Sequence, residues 1–404
     1  MKKKREKWMR PRHVIVWGIL YPFIWLLSQI KYPIKVKRFP DQRKRPYLIL
    51  MNHQTPFDQF FVGMAFKGPI YFIASEDIMS NGLISRLIHY LVAPISIKKQ
   101  AGDFSAVMTT IRVAREGATI AMAPEGNRTY SGKTEYINPA VAGLAKKLKL
   151  PVALFRIEGG YGMEPRWSSV TRRGRMRAYV SEVIEPEEYA NLTNEELYER
   201  IKAGLYVDEG VADAKFKSSR RAEYLERAIY VCPYCGLAKF ESHGNEAECT
   251  QCHRKVTYGE DKTITGVGFE FPFRFMTQWY DYQSDFVNAL DILQFSTEPA
   301  FRDQAMMSQV ILNRRKQVLR KNADLTLYGD RVVIDEGKEN ELVLSYDEIT
   351  AVSVLGRNKL NIYHKSEVYQ FKGDKRFNAL KYVNFYYRHK NIVRGDLDNK
   401  FLGL

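Results

Sequence analysis

The sequence predicts an α/β chain built on a mostly parallel sheet with helices on both faces. N-terminal membrane-interface helices precede this sheet, and a cysteine ribbon and a small β-rich C-terminal domain with a capping helix follow it. Three patterns predict this architecture. Short apolar segments alternate with helix-like segments up to about residue 210, two C-x-x-C pairs begin at Cys232 and Cys249, and strand-like segments fill the C-terminal part. A chain of 404 residues is long enough for two or three domains.

Positive charge is concentrated at the N-terminus. The chain carries a formal net charge of +16, of which residues 1–45 contribute +12, from fourteen Lys and Arg residues against Glu6 and Asp41. Between two basic clusters, residues 13–30 are apolar and aromatic and include no Asp, Glu, Lys or Arg. This pattern is typical of a segment that binds an anionic membrane surface. Because the remaining residues hold little excess charge, we expect no binding to nucleic acid.

Residues 1–40 are therefore predicted to form a basic and hydrophobic membrane anchor. Eighteen helical residues reach about 27 Å, which is marginal for a hydrocarbon core about 30 Å thick, and Pro22 interrupts the middle of the stretch. Positive charge at both ends also disfavours translocation of either end. We expect an interfacial or re-entrant anchor at the cytoplasmic face of the cell membrane, with a single span as the alternative.

Residues 41–210 are predicted to form the α/β domain. The strand-like segments are residues 46–51, 70–74, 93–97, 119–123 and 151–157, and the helix-like segments include 57–66, 103–116 and 140–148. Strands that alternate with helices form parallel sheets with both faces covered. Ligands of such sheets bind beyond the carboxyl ends of the strands, so the polar residues there are the candidates for a site.

The first polar segment is NHQTPFD, which directly follows the strand at 46–51. Thr55 as the N-cap and Pro56 at the first helical position predict a helix start, with Asp58 in the first turn. His53 and Asp58 can then meet across the loop, where the carboxylate would hold the imidazole in one tautomer and stabilise its protonated form. The spacing alone also fits a chance pairing in a turn.

The second polar segment is APEGNRT, which follows the strand at 119–123. Its Glu125, Gly126 and Arg128 are expected at the same sheet edge as His53. Glycine allows a ligand to approach the backbone, and the arginine guanidinium binds phosphate oxygens in a planar fork. Lys98 and Lys99, which follow the strand at 93–97, would add cations to this edge.

These residues resemble the glycerolipid acyltransferases typified by lysophosphatidic acid acyltransferase, and the resemblance covers roughly residues 10–210. The first family motif, N-H-x-x-x-x-D, is matched by Asn52, His53 and Asp58. The third, often F-P-E-G-T-R-S, is matched at Pro124, Glu125, Gly126 and Arg128, with Ala123, Asn127 and Thr129 departing from it. Lys99 is the best counterpart of the Arg that ends the second motif, and residues 150–155 resemble the fourth, with Phe155 where a second Pro is usual.

The resemblance implies acyl transfer from a thioester donor, acyl-CoA or acyl carrier protein, to the free hydroxyl of lysophosphatidic acid. The product would be phosphatidic acid for phospholipid synthesis. His53 and Asp58 would be catalytic, and Lys99 and Arg128 would hold the acceptor phosphate. Glu125 would position Arg128 or the acceptor, and Gly126 would let the acceptor approach the backbone. Glycerol 3-phosphate or another lysolipid is the alternative acceptor. An alternative of another class is a non-catalytic, membrane-associated scaffold protein.

The segment at 158–167, EGGYGMEPRW, follows the last predicted strand of this domain. Two interpretations are open for it: a loop that touches the lipid acceptor, or a simple turn into the next strand.

A charged linker is predicted at 211–229 and a zinc ribbon at 230–259. The ligands would be Cys232, Cys235, Cys249 and Cys252, which are the four cysteines of the chain. Two C-x-x-C knuckles suit a structural, tetrahedral Zn²⁺ site, and a reducing cytoplasm disfavours disulfides.

An aromatic and helical connector is predicted at 260–321, with a helical pattern at 305–321. Strand-like segments and a helix from about 374 to 389 then resemble, in pattern only, a pleckstrin-homology-like domain at 322–404.

Overall fold

A computed structural model of the chain describes residues 7–40, 45–75, 82–97, 104–211, 214–311 and 316–403. Two compact units are present. The first comprises Met1–Pro165 and Arg173–Glu209, and the second comprises Arg166–Arg172 and Gly210–Leu404.

The first unit is an α/β domain with a seven-stranded sheet. Its strands are β1 (Ile34–Val36), β2 (Leu48–Met51), β3 (Ile70–Ser75), β4 (Ile95–Ile97), β5 (Thr119–Met122), β6 (Val152–Glu158) and β7 (Met176–Ile184). The order across the sheet is β1-β7-β6-β2-β5-β3-β4. All neighbouring strands are parallel except β6 and β7. The predicted, mostly parallel sheet is therefore confirmed, with one antiparallel pair that was not predicted.

Eight helices accompany this sheet in the described part of the unit. They are α1 (Pro11–Lys31), α2 (Asp58–Ala65), α3 (Leu83–Val92), α4 (Phe104–Arg115), α5 (Ala140–Leu148), α6 (Gly160–Met163), α7 (Pro186–Ala190) and α8 (Asn194–Leu205). Leu48 and Leu50 of β2 pack in one core cluster with residues of α4, α5 and α8. Residues on the opposite sheet face are also fully buried, and Phe155 contacts Phe66 at the end of α2. Burial on both faces explains why β2 is a continuous apolar run rather than an alternating one.

Helix α1 is a single unbroken helix of 21 residues that includes Pro22. The predicted interruption at Pro22 is wrong. A proline removes only one backbone hydrogen bond of a helix, and α1 continues past Pro22 as one element. At about 1.5 Å per residue the helix is about 31 Å long. It is apolar and long enough to cross a membrane, and 11% of its most apolar window is buried.

One side of α1 packs on the domain. The tip of Trp17 lies only 2.8 Å from the position that a Cβ atom would take at Gly63, so glycine allows α1 to approach α2 closely. His13 Nδ1 lies 2.9 Å from the hydroxyl oxygen of Tyr71. The other side exposes apolar side chains, namely Val14, Ile15, Ile19, Phe23, Trp25, Leu26, Leu27 and Ile30.

The second unit is rich in β-structure. It begins with β8 (Val231–Cys232), β9 (Gly236–Leu237), β10 (Phe240–His243), β11 (Glu246–Cys249), β12 (Lys255–Tyr258) and β13 (Ile264–Gly266), followed by α9 (Met276–Ala289). A seven-stranded antiparallel sheet comprises β14 (Phe301–Gln309), β15 (Gln317–Leu327), β16 (Arg331–Ile334), β17 (Leu342–Ser345), β18 (Ile349–Leu355), β19 (Lys359–His364) and β20 (Glu367–Gly373). Helix α10 (Leu380–Val393) follows, as expected for a capping helix. The likeness of residues 322–404 to a pleckstrin-homology domain stays a prediction.

The prediction of a helix at 305–321 is wrong. Residues 305–309 belong to β14 and residues 317–321 belong to β15. Ala305 and Met307 are buried two residues apart and pair with Gly373 and Phe371 of β20, which is the period of a strand. The mixture of polar and apolar residues here gives no clear strand alternation, so the sheet partners decide the conformation.

Candidate active site

Three neighbouring parallel strands define one edge of the sheet. β2 lies between β5 and β6, with Leu50 paired to both Met122 and Leu154. Their carboxyl ends lead into the His53 loop, the Glu125 loop and helix α6, respectively. The two polar segments of the sequence therefore lie at the same edge.

His53 and Asp58 form a hydrogen-bonded pair. His53 Nδ1 lies 2.8 Å from Asp58 Oδ2, and the side chain of His53 is 24% exposed whereas that of Asp58 is fully buried. Asp58 is the first residue of α2. The expectation that Thr55 caps this helix is wrong, because Phe57 holds the cap position and the Thr55 hydroxyl instead accepts a hydrogen bond from Phe57 N.

The Asp58 carboxylate accepts hydrogen bonds from several donors. Gln54 N and Thr55 N donate to Oδ2 at 2.6 and 3.0 Å, and the Thr55 hydroxyl donates to Oδ1 at 2.7 Å. A carboxylate oxygen accepts, so in this hydrogen bond His53 Nδ1–H is the donor, which leaves Nε2 with its lone pair. A partly exposed imidazole in this tautomer can accept a proton from a substrate hydroxyl.

Asn52 fixes the start of this loop. Its side-chain Nδ2 donates to Ile157 O at 2.8 Å, and its Oδ1 accepts from Ile157 N at 2.7 Å. The amide thus continues the pairing between β2 and β6 after the last residue of β2. Asn52 acts on the backbone and orients the loop that carries His53.

Glu125 is an anchor for two backbone segments. Its Oε1 accepts from His53 N at 2.8 Å, and its Oε2 accepts from Glu135 N at 2.8 Å. Burial raises the pKa of Glu125 well above its ordinary value, and the two backbone N–H groups oppose this effect. The role suggested by the resemblance, positioning Arg128 or the acceptor, stays a prediction. The structure shows a role that the sequence did not indicate: Glu125 holds the His53 loop in place.

Arg128 lies beside the same loop. Its Nε donates to Gln54 O at 3.0 Å and its Nη2 to Glu164 O at 2.5 Å. Thr129 N also donates to His53 O at 3.3 Å. The guanidinium and the imidazole are therefore carried by loops that bind each other directly, as required for a site that contains both.

Gly126 is exposed and adopts a left-handed backbone conformation with φ of 69°. A Cβ atom there would meet nothing within 4 Å, so the backbone conformation, rather than crowding, favours glycine. Lys98 and Lys99 lie outside the described residues.

The segment at 158–167 contributes residues that the sequence analysis did not assign to the site. After β6 it forms the short helix α6, and a Cβ atom at Gly160 would lie 2.5 Å from Gln54 Cβ, so glycine is required where α6 packs on the His53 loop. Gln54 Oε1 accepts from Tyr161 N at 3.0 Å. Glu164, at the end of α6, is buried and contacts Arg128 through its carbonyl. The paired glycines that follow a predicted strand were the feature of the sequence that could have indicated this close packing.

The four cysteines of the second unit converge. Their sulfur atoms all lie within 4.8 Å of one another, and Cys232 Sγ and Cys252 Sγ are 3.8 Å apart. Four thiolates at about 2.3 Å from a tetrahedral Zn²⁺ ion are separated by about 3.8 Å. The cluster could therefore hold a metal ion, with zinc the plausible one. A hairpin with His243 paired to Glu246 lies between the two knuckles.

Comparisons with known proteins give one similar solved structure and one family match. The solved structure of the 1-acyl-sn-glycerophosphate (LPA) acyltransferase PlsC from Thermotoga maritima is 22% identical, with a TM-score of 0.41, over 49% of this chain and 80% of that one. The comparison with curated protein sequences finds no significant match. Residues 34–157 match the model of the family described as Acyltransferase. This range includes His53, Asp58, Glu125 and Arg128, so the part of the chain that forms the sheet edge is similar to acyltransferases.

Proposed function

We propose that the chain is a membrane-associated O-acyltransferase that transfers a fatty acyl group from a thioester to the free hydroxyl of lysophosphatidic acid. The hydrogen-bonded His53–Asp58 pair carries this proposal, because it supplies a base beside a cationic loop at the sheet edge. The Acyltransferase family match over 34–157 supports the reaction class. Phosphatidic acid for phospholipid synthesis would be the product.

His53 would begin the reaction. Its Nε2 takes the proton from the acceptor hydroxyl while that oxygen attacks the thioester carbonyl carbon, and Asp58 stabilises the imidazolium. The tetrahedral adduct then expels the thiolate, which takes the proton from Nε2. The products are an ester and a free thiol, and His53 returns to its starting state. No acyl-enzyme is needed.

Arg128 would bind the phosphate of the acceptor, together with Lys99. Arginine binds phosphate through several N–H groups in a fixed plane, so it also orients the ligand. Glu125 would keep the backbone of His53 at a fixed distance from this cation through its bond to His53 N.

Membrane association would come from α1 and α3. Leu83, Ile84, Leu87 and Tyr90 of α3 are exposed. Arg12 Nε donates to Tyr90 O at 3.1 Å, so α3 lies next to the start of α1. Two adjacent helices with exposed apolar side chains favour an anchor that lies in the interface, because α1 also contacts its own domain along one side. An anionic cytoplasmic leaflet would bind the basic N-terminus.

A structural Zn²⁺ ion would be held by Cys232, Cys235, Cys249 and Cys252. Bound zinc supplies folding free energy and, with four protein ligands, keeps no position open for substrate. We therefore give it no part in acyl transfer.

The test is an acyl-transfer assay on membranes with radiolabelled acyl-CoA or acyl carrier protein thioesters. Lysophosphatidic acid, glycerol 3-phosphate and other lysolipids serve as acceptors in parallel. We expect lysophosphatidic acid to be the preferred acceptor. The variant His53→Ala should lower turnover by about 10²- to 10⁴-fold while the protein remains folded.

His243→Ala is the matched control, since His243 is an exposed histidine of the second unit. It should leave turnover unchanged. Near-normal turnover by His53→Ala would contradict the proposed role of His53 as the base. Absence of transfer to every acceptor by the unaltered protein would instead favour the non-catalytic scaffold. Preference for glycerol 3-phosphate or another lysolipid would retain the reaction and change the acceptor.

A further inference from the structure

The sheet topology brings the end of α1 to the catalytic edge. β1 is parallel to β7, with Ile34 paired to Met176, whereas β6 is antiparallel to β7, with Glu158 paired to Arg177. The amino end of β1 therefore lies at the edge where β6 ends. Lys31 is the last residue of α1, and two residues separate it from the start of β1. It therefore lies at this edge.

Lys31 contacts the loop that carries the catalytic pair. Its Nζ lies 4.9 Å from the ring centroid of Phe57, the residue before Asp58, and 4.9 Å from that of Tyr32. Nζ also lies 2.9 Å from Glu164 Oε2, and the Lys31 side chain is 35% exposed. An ammonium has three N–H donors, and the bond to Glu164 uses one of them. A partly exposed cation thus lies next to Phe57, which directly precedes Asp58.

Glu164 connects this lysine to Arg128. The Tyr32 hydroxyl donates to Glu164 Oε2 at 2.6 Å, and the carbonyl of the same residue accepts from Arg128 Nη2 at 2.5 Å. Both cations are therefore bound by one buried residue, one through its side chain and one through its backbone.

The charge state of Glu164 fits this role. Burial by itself would raise its pKa, but the hydrogen bonds from Tyr32 and Lys31 and the charge of Arg128 lower the pKa below its ordinary value. The carboxylate is thus ionised at neutral pH and attracts both cations.

We infer that Lys31 is a further cation for the phosphomonoester of the acceptor, in addition to Arg128 and Lys99, and that Glu164 is the positioning residue that holds Lys31 and Arg128 toward the same ligand. The inference rests on the proposed function and extends it, since it adds a residue of the apolar helix to the headgroup site. The helix that contacts lipid would then also supply part of the site that binds the lipid headgroup.

A purely structural ion pair is the competing role for Lys31. The two roles differ in what they affect. A structural pair changes folding stability and, through it, every ligand equally. Loss of a headgroup cation weakens the binding of phosphate-bearing ligands and does not change the binding of uncharged ligands. The reason is that the cation contributes binding free energy through a charge-assisted hydrogen bond to the phosphate.

The experiment measures equilibrium binding in the His53→Ala background, where no turnover complicates the result. The ligands are radiolabelled lysophosphatidic acid, glycerol 3-phosphate and monoacylglycerol, added to full-length protein in detergent. Lys31→Met keeps the length of the side chain and removes its charge. It should weaken lysophosphatidic acid binding about tenfold, which is about 1.4 kcal/mol, and leave monoacylglycerol binding unchanged. Weaker glycerol 3-phosphate binding as well would show that the free phosphate compound is recognised in the same way as the lipid headgroup.

Lys35→Met is the matched control, since it removes the same charge from an exposed lysine of β1 that the proposal does not use. It should change lysophosphatidic acid binding by less than about twofold. Unchanged binding by Lys31→Met, or an equal loss with Lys35→Met, would overturn the inference. Either result would leave the proposed reaction intact, because that proposal is tested by turnover and by His53.

Discussion

The variant Asp58→Asn tests the catalytic pair with the smallest change of shape. The substitution keeps the size of the side chain but removes the negative charge that faces His53 Nδ1 at 2.8 Å. The remaining amide oxygen can still accept from Gln54 N and from the imidazole, so the loop should retain its conformation. The variant therefore removes mainly the electrostatic stabilisation of the imidazolium.

The size of the effect follows from the geometry. Two unit charges about 4 Å apart interact by about 4 kcal/mol at the effective dielectric constant of about 20 that suits partly exposed groups. In the proposed mechanism the imidazolium forms during proton transfer, so this loss falls on turnover, and about 4 kcal/mol corresponds to about 10³-fold. Hydrogen bonds to a charged acceptor also exceed neutral ones by about 1 kcal/mol each. With the bonds from Gln54 and Thr55, we expect the free energy of unfolding to fall by about 2 to 3 kcal/mol.

The assay compares initial rates of acyl transfer and urea unfolding for the two proteins. Glu196→Gln is the control, since Glu196 accepts a backbone hydrogen bond from Thr193 N at the start of α8, away from the site. It should cost about 1 kcal/mol of stability or less and leave the rate unchanged. A folded Asp58→Asn protein with turnover within tenfold of the parent would refute the assigned role of the carboxylate.

Further predictions concern three other features. Asn52→Ala removes both bonds to the Ile157 backbone and leaves two buried groups unpaired, so urea unfolding should show a loss of about 2 to 4 kcal/mol. Protein purified without chelator should contain one zinc per chain by elemental analysis, and Cys232→Ser or a chelator should lower its thermal midpoint. Glu164→Gln should destabilise the protein at pH 7. Because the folded-state pKa of Glu164 is lowered, its contribution is present above its unfolded pKa of about 4.3 and is lost as the pH falls through the folded value, so the difference from the parent should shrink at pH 3.5.

Each of these expectations has an outcome that contradicts it. A loss below about 1 kcal/mol for Asn52→Ala would mean that water replaces both bonds. Protein purified without zinc would contradict the proposed zinc site at the four cysteines. A difference for Glu164→Gln that persists at pH 3.5 would trace its effect to packing rather than to charge.

The central strands could be predicted from the sequence because each is a short apolar run followed by polar residues. The structure begins or ends β2, β5 and β6 within two residues of the predicted limits. β1 and β7 were missed. β1 has three residues inside a basic segment, and β7 mixes charged and apolar residues, so neither carries a clear pattern. They form because neighbouring strands of the sheet supply the backbone hydrogen-bonding partners of β1 and β7.

The catalytic pair could be predicted because its members are five residues apart, within one strand-to-helix turn. The network at Glu164 could not. The hydrogen bond from Tyr32 joins residues 132 positions apart, and no periodicity relates the two segments. The same holds for the bond between Glu125 and His53 N, which joins positions 72 apart. Such contacts follow from the strand order, which local patterns do not specify.

The position of β6 along the chain has a consequence for the timing of folding. β6 pairs directly with β2 but is made about a hundred residues after it. During synthesis, Asn52 therefore lacks its partner Ile157, and Gln54 lacks its partner Tyr161, until β6 and α6 have left the ribosome. The loop that carries His53 gains these contacts only at that late step.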